Sequence, residues 1–329
     1  MRHPHKPILV LGGPTASGKT AMALRLAEEL EGELVGADSV QVYRGFDLGS
    51  AKPSPEELRG IPHHLVDVVE ATDTMDAALY QQHADAAIDA IIARGRLPIV
   101  VGGTGLWLRA LTRGLVDLPP MDPQLRAQLY ARAEQIGDHA IHTELRQVDP
   151  QAAQTLHPHD RMRIVRALEV YQQTGRALSD WHAEHARGSP RYRLLFLKSH
   201  LSAEDTQQRV QTRIQAMLKR GWLDEVRYLH QRYPLSARAL QSVGYAQLLA
   251  FIEGRQRWEE SYAAAMQATR RYAKQQRVWF RGEPLVQATL DPHHLDNPAF
   301  WAALRHDLRD NYLDGCKKTL DILLHPNHT

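Results

Sequence analysis

Apolar residues fall along the chain in two rhythms. Short, nearly unbroken runs at Lys6–Leu11, Leu34–Ala37, Ile61–Val69, Leu97–Val101 and Arg191–Leu197 have the length and continuity of strands buried on both faces. Between them, apolar positions recur at helical spacing. Leu24, Leu26, Ala27 and Leu30 lie within Thr20–Leu30, which stops at Gly32, and an Ala-rich stretch from Met75 to Ala93 stops at Gly95. Strands alternating with helices predict a parallel sheet flanked by helices. The rhythm changes at Asp117-Leu118-Pro119-Pro120. From Pro123 to about Ser189 only helical patterns occur, and the strand pattern resumes after Gly188-Ser189-Pro190. The reading is an α/β core made of residues 1–118 and 190–290, interrupted by an all-helical insertion, 119–189. A tail, 291–329, carries one further amphipathic helix, Ala299–Leu313.

Composition changes this picture little. With 329 residues, 43% hydrophobic and 24% charged, the chain has an ordinary globular makeup. No apolar run approaches the roughly 18 residues of a membrane span, and Ile8–Leu11 is too short for a signal-peptide core. The expectation is a cytoplasmic protein, with monomer as the default. The single cysteine, Cys316, excludes an internal disulfide and a Cys-pair zinc module. Adjacent histidines, His63-His64 and His293-His294, do not share a helix face. Charge is more informative. Arg209–Arg281 holds 14 Lys and Arg against 5 Asp and Glu, while the remainder of the chain is net acidic. Such a stretch fits either a polyanion partner, nucleic acid first, or a set of solvated helices.

The clearest chemistry is Gly13-Pro14-Thr15-Ala16-Ser17-Gly18-Lys19-Thr20, which fits G-x-x-x-x-G-K-[ST] between a strand and a helix. Its glycines let backbone wrap phosphate oxygens, the helix N-terminus favours the anion, Lys19 adds a point charge and Thr20 offers a hydroxyl to Mg²⁺. The motif specifies a diphosphate or triphosphate, not which one. Asp38 follows the strand Leu34–Ala37, at the edge where open α/β sheets bind ligands. There it could hold Mg²⁺ through water, take a proton from an acceptor, or cap a turn.

Asp38-Ser39-Val40-Gln41-Val42-Tyr43-Arg44-Gly45 with Asp47–Pro53, then Pro62–Asp67, Gly102-Gly103-Thr104-Gly105-Leu106, Asp160–Arg163 with Arg166–Glu169, Val243-Gly244-Tyr245 and Gln276–Arg281 together resemble the tRNA dimethylallyltransferases (tRNA isopentenyltransferases) of bacterial type. The resemblance spans about residues 8–281. It implies a P-loop NTPase-like core that moves a dimethylallyl group from dimethylallyl diphosphate to N6 of adenine at position 37 of tRNA, with Mg²⁺. The phosphate loop would then hold the diphosphate of an isoprenoid. Asp38 matches the family's general base, Thr104 a position near the scissile oxygen, and Arg213 an arginine on the diphosphate. Further family positions that touch tRNA are Asp38, Ser39, Val40, Gln41, Arg126, Met162, Arg163, Ile164, Val165, Arg166, and Gln241, Ser242, Val243, Gly244, Tyr245 and Ala246. The stretch Lys274, Gln275, Gln276, Arg277, Val278, Trp279, Phe280 and Arg281 completes them. The helical insertion would grip the anticodon stem-loop. Trp107, Ala246, Gln275 and Val278 depart from the family pattern.

From spacing alone, Arg270, Lys274, Arg277 and Arg281 share one helix face and read as a phosphate-tracking stripe. A small-molecule kinase using ATP, or transfer to free AMP or ATP, are the alternatives compatible with the loop.

Overall fold

The computed structural model describes residues 3–308. The described residues divide into two compact units, one from residues 3–112 and 190–308, the other Arg113–Ser189. In the first, the sequence runs β1 (His3–Gly12), α1 (Lys19–Leu30), β2 (Gly32–Ala37), α2 (Pro55–Leu58), β3 (His63–His64), α3 (Ala77–Ala93), β4 (Leu97–Gly102) and α4 (Gly105–Arg113). The helical unit holds α5 (Pro123–Ile136), α6 (Asp138–Val148), α7 (Pro150–Thr155), α8 (Arg161–Thr174) and α9 (Leu178–Ala186). The first unit resumes with β5 (Tyr192–Ser199), α10 (Ala203–Lys219), α11 (Trp222–Arg232), α12 (Tyr245–Ile252), α13 (Trp258–Arg281), β6 (Ala288–Leu290) and α14 (Pro298–Asp307).

The six strands form one sheet in the order β3-β2-β4-β1-β5-β6, with every pairing parallel. Continuous apolar runs are required because both faces are covered. Along β1, Ile8 and Val10 face one core while Leu9 and Leu11 face the other, all at most 1% exposed. Each such side chain contributes about 1.5–3 kcal/mol on burial. The first core is closed by α3, α4 and α10–α13, the second by α1 and α14. This places β1 and β4, whose ends are glycines, at the centre of the sheet, so the loops that follow them open beside one another and beside Asp38 after β2.

In the helical unit, Leu129, Ala133, Ile141, Leu145, Ile164, Val165 and Leu168 form a separate core. Glu169 is fully buried there. Burial alone would push its carboxyl up, but Arg126, the Asp122 amide and Arg166 outweigh that and hold it low. Removing one partner of so buried a charge costs about 3–5 kcal/mol.

Three expectations need correction. The run Ile61–Val69 is a strand only at His63–His64, because Leu65 and Asp67 adopt positive φ (61° and 56°) and turn the chain out of the sheet. The edge strand β6 lies where no strand was expected. Residues 291–308 are not a separate tail: Trp301, Leu304 and Leu308 pack against α1 in the second core. Cys316 and the end of the expected helix Ala299–Leu313 lie outside the described residues.

Candidate active site

The phosphate loop is shaped from both ends of the chain. It leaves β1 at Gly12, passes Ala16 (φ 63°) and Gly18 (φ 79°), and enters α1 at Lys19. Positive φ at Gly18 is why glycine stands at the helix N-terminus. A Cβ on Gly13 would stand 1.9 Å from the Ser199 hydroxyl, and one on Gly12 would stand 2.2 Å from the Phe280 ring, so neither position admits a side chain. Ser199 on β5 donates to Ser17 at 2.6 Å.

Gln276, buried on α13, joins two loops. Its Oε1 accepts from the Thr15 amide at 2.8 Å, and its Nε2 donates to the Gly103 carbonyl at 3.0 Å. The second loop is fixed in turn to β2: the Thr104 amide donates to the Ala37 carbonyl at 3.2 Å, and the Ser39 amide donates to the Thr104 hydroxyl at 3.0 Å. Asp38 sits between them. Its Oδ1 accepts from the amides of Val40 (2.9 Å) and Gln41 (3.3 Å), and no hydrogen bond engages Oδ2 among the described residues.

Two cavities meet at this carboxylate. One, of about 50 Å³, is lined by Lys19, Thr20, Thr15, Gln41, His63 and Arg213 with Asp38. The other, about 280 Å³, has apolar walls of Val210, Ile214, Met217 and Trp222, and a rim at Gln241, Ser242 and Val243. Asp38, Arg213, Thr15, Ser50 and Tyr272 line both. The charges feel one another. Burial lowers the Lys19 ammonium to about 8, with Asp38 opposing and Arg213 assisting. Burial also lowers the Arg213 guanidinium, again opposed by Asp38. Two cations and one carboxylate thus surround a small cavity where an anion relieves their desolvation. Arg213 donates to the Ser50 carbonyl at 3.4 Å, which holds its side chain toward Asp38.

The structure therefore brings together Asp38, Thr104, Arg213, Lys19 and the loop Gly13–Thr20. It adds Tyr272, which the sequence reading overlooked. Burial pushes that hydroxyl up to about 12, the Asp38 charge adds to the rise, and Thr104 and Gln276 pull the other way. The signal was available: Thr269, Tyr272, Gln276 and Phe280 recur at helical spacing and mark the inward face of α13.

The expected nucleic-acid contacts divide by exposure. Gln241, Val243, Lys274, Gln275, Val278, Arg281, Met162 and Arg163 are exposed. Ser39, Val40, Gln41, Ser242, Ala246 and Trp279 are half-buried. Ile164 and Val165 are core residues of the helical unit, and Phe280 is core of the sheet unit, so none presents its side chain to a ligand. Gln276 is the loop brace. Tyr245 is buried with its hydroxyl donating to Glu225 at 2.6 Å, and Gly244 (φ 92°) sits where a Cβ would strike Trp222. Arg126 and Arg166 are spent on Glu169. The basic stripe also shifts. Arg277 donates to Thr206 at 3.0 Å and Arg270 is half-buried, whereas Arg271 is exposed beside Lys274. Trp107, a departure from the family pattern, stacks on Tyr80 at 4.4 Å inside the core.

A parallel sheet, a glycine-rich phosphate loop running into a helix, and a carboxylate facing a cationic cavity define a P-loop-type α/β enzyme that acts on a phosphorylated substrate. A family model described as IPP transferase matches residues 41–283. A tRNA dimethylallyltransferase of Sorangium cellulosum is 46% identical over 283 residues, 86% of this chain and 90% of its own. One from Symbiobacterium thermophilum is 46% identical over 278 residues, 84% of this chain and 87% of its own. Among solved structures, the full-length tRNA isopentenylpyrophosphate transferase of Bacillus halodurans aligns with a TM-score of 0.70 at 31% identity, over 94% of this chain and 97% of that one. A eukaryotic dimethylallyltransferase acting on tRNA aligns with a TM-score of 0.75 at 27% identity, over 94% of this chain and 80% of that one. The chain belongs to the IPP transferase family.

Proposed function

We propose that this enzyme transfers a dimethylallyl group from dimethylallyl diphosphate to N6 of adenine at position 37 of tRNA, beside the anticodon. The observation that carries the assignment to particular residues is the position of Asp38, on the boundary between the cationic cavity and the larger, partly apolar one. The diphosphate occupies the first, against Lys19, the loop amides and Arg213. The isoprenyl unit and the extruded base share the second.

Adenine N6 is a weak nucleophile because its lone pair is delocalised into the ring. Bond making from N6 to the allylic carbon and bond breaking to the diphosphate oxygen therefore need help at both ends. Lys19 and Arg213 stabilise the charge that develops on the leaving oxygen. The free Oδ2 of Asp38 takes the N6 proton. Thr104 and Tyr272, both beside Asp38, orient the reacting groups.

Among the described residues no three His, Cys, Asp or Glu side chains converge to hold a metal. Thr20 lines the cationic cavity together with Asp38. That donor set suits Mg²⁺, which takes oxygen ligands and leans on substrate phosphates. When bound, it neutralises charge on the leaving diphosphate. The anticodon stem-loop meets exposed Lys274, Arg271, Gln241 and Val243 on the sheet unit. The chain acts as a monomer.

The test is direct. With labelled dimethylallyl diphosphate and Mg²⁺, an anticodon stem-loop bearing adenine at position 37 acquires label and free AMP does not. Label entering AMP and not RNA overturns the reading.

A further inference from the structure

His63 is an unused group in the site. It stands on β3 beside Leu34 of β2. Successive strand residues point to opposite faces, and its neighbour His64 turns away to Glu33 at 2.7 Å. His63 instead borders the cationic cavity with Lys19, Thr20 and Arg213, and on its other side a cavity shared with Lys52, Asp67 and Arg213. Both ring nitrogens are shut off from solvent, and neither has a hydrogen-bond partner among the described residues. Nε2 lies 3.4 Å from where a Cβ on Gly36 would stand, so a glycine at that position leaves the ring room. Buried polar atoms of this kind are normally paired. Here the residue that carries them borders the cavity assigned to the diphosphate.

We propose that His63 is a binding residue for the diphosphate, donating one ring N–H to an oxygen of the leaving group. The proposal rests on the diphosphate reading of that cavity. Burial lowers the imidazole to about 4, with His64 adding to the fall, so the ring remains neutral at working pH. Neutrality is useful there. Lys19 and Arg213 already crowd two desolvated cations together, and a neutral donor adds a directed bond without a third.

The experiment measures binding of inorganic diphosphate to the full chain by calorimetry, with EDTA and with Mg²⁺, alongside the melting temperature without ligand. His63→Phe is expected to weaken diphosphate about 10- to 100-fold, the worth of one hydrogen bond to a charged group, under both conditions. Its melting temperature should hold or rise, because two unpaired nitrogens are gone. His63→Asn or His63→Gln, which restore an N–H near Nδ1 or Nε2, should recover part of the affinity, and the donor KM should follow the same order. Stem-loop affinity should not change. Unaltered diphosphate affinity in His63→Phe overturns the proposal. So does an affinity loss seen only with Mg²⁺, or one that neither amide variant relieves while both remain folded. Should the wild-type chain bind diphosphate yet fail to modify the stem-loop, the transfer reading falls and the His63 comparison still stands.

Discussion

Both halves of the Gln276 amide are engaged, so its replacement tests whether α13 builds the phosphate site or merely borders it. Gln276→Met keeps the length of the side chain and removes both hydrogen bonds. The Gly103 carbonyl is left unpaired in a buried setting, while the Thr15 amide is only partly covered and can recover a water. A buried group left unsatisfied costs about 1–3 kcal/mol, so the sum is about 2–4 kcal/mol, given partial recovery at Thr15. For a unit of this size the melting temperature should drop by roughly 5–15 °C. Gln276→Glu separates structure from charge. Its carboxylate can still accept from Thr15, but it sets oxygen against the Gly103 carbonyl and puts a negative charge beside the anion cradle. Calorimetric titration with inorganic diphosphate should show Gln276→Glu binding about tenfold or more weaker than Gln276→Met. A Gln276→Glu protein with wild-type melting and wild-type diphosphate affinity would refute the reasoning.

Asp38→Asn should lower the single-turnover transfer rate by about 10²–10⁴-fold, the usual contribution of a positioned base, while the diphosphate dissociation constant stays within a few-fold. A retained rate removes Asp38 from proton transfer. Lys274→Ala and Arg271→Ala should each weaken stem-loop binding and flatten its logarithmic salt dependence by about 0.7–0.9; Arg277→Ala, whose guanidinium is tied to Thr206, should flatten it less. Equal slopes for all three count against the shifted stripe. Glu33 is held below the usual carboxyl range first by Arg94, with burial opposing and His64 assisting. This stabilisation is present above the ordinary carboxyl pKa and is lost as pH falls through the depressed value. Arg94→Met should therefore lower the melting temperature at pH 7 and converge with wild type once the pH has fallen below the depressed value, and a difference that stays constant into strong acid excludes the linkage.

The sheet was readable because strands covered on both faces must be continuously apolar, as β1 and β4 are. The loop Gly13–Thr20 was readable because phosphate wrapping demands glycines at fixed spacing. Asp38 was readable from its place after β2. What escaped has physical causes too. The extent of β3 was misjudged because two non-glycine residues take left-handed backbone, which apolar content does not reveal. The three-residue edge strand β6 buries only Leu290 and leaves almost no pattern. Tyr272, and the brace that Gln276 forms where a tRNA contact was expected, are polar side chains on an inward helical face, where polarity alone suggests solvent. Arg270 and Arg277 erred in the opposite sense: correct helical spacing placed them together but could not say that one would be half-buried and the other bound to Thr206. The tRNA positions Ile164 and Val165 came from resemblance, and their burial shows that neighbours in a motif can serve the core.

The amide of Thr15 finds its partner 261 positions downstream. During synthesis the anion-holding turn therefore emerges early and stays unset until nearly the whole sheet unit has left the ribosome. A nascent or prematurely terminated chain carries the motif in full but lacks the bond that joins its turn to the far helix, and folding of this unit must await a contact of very long range.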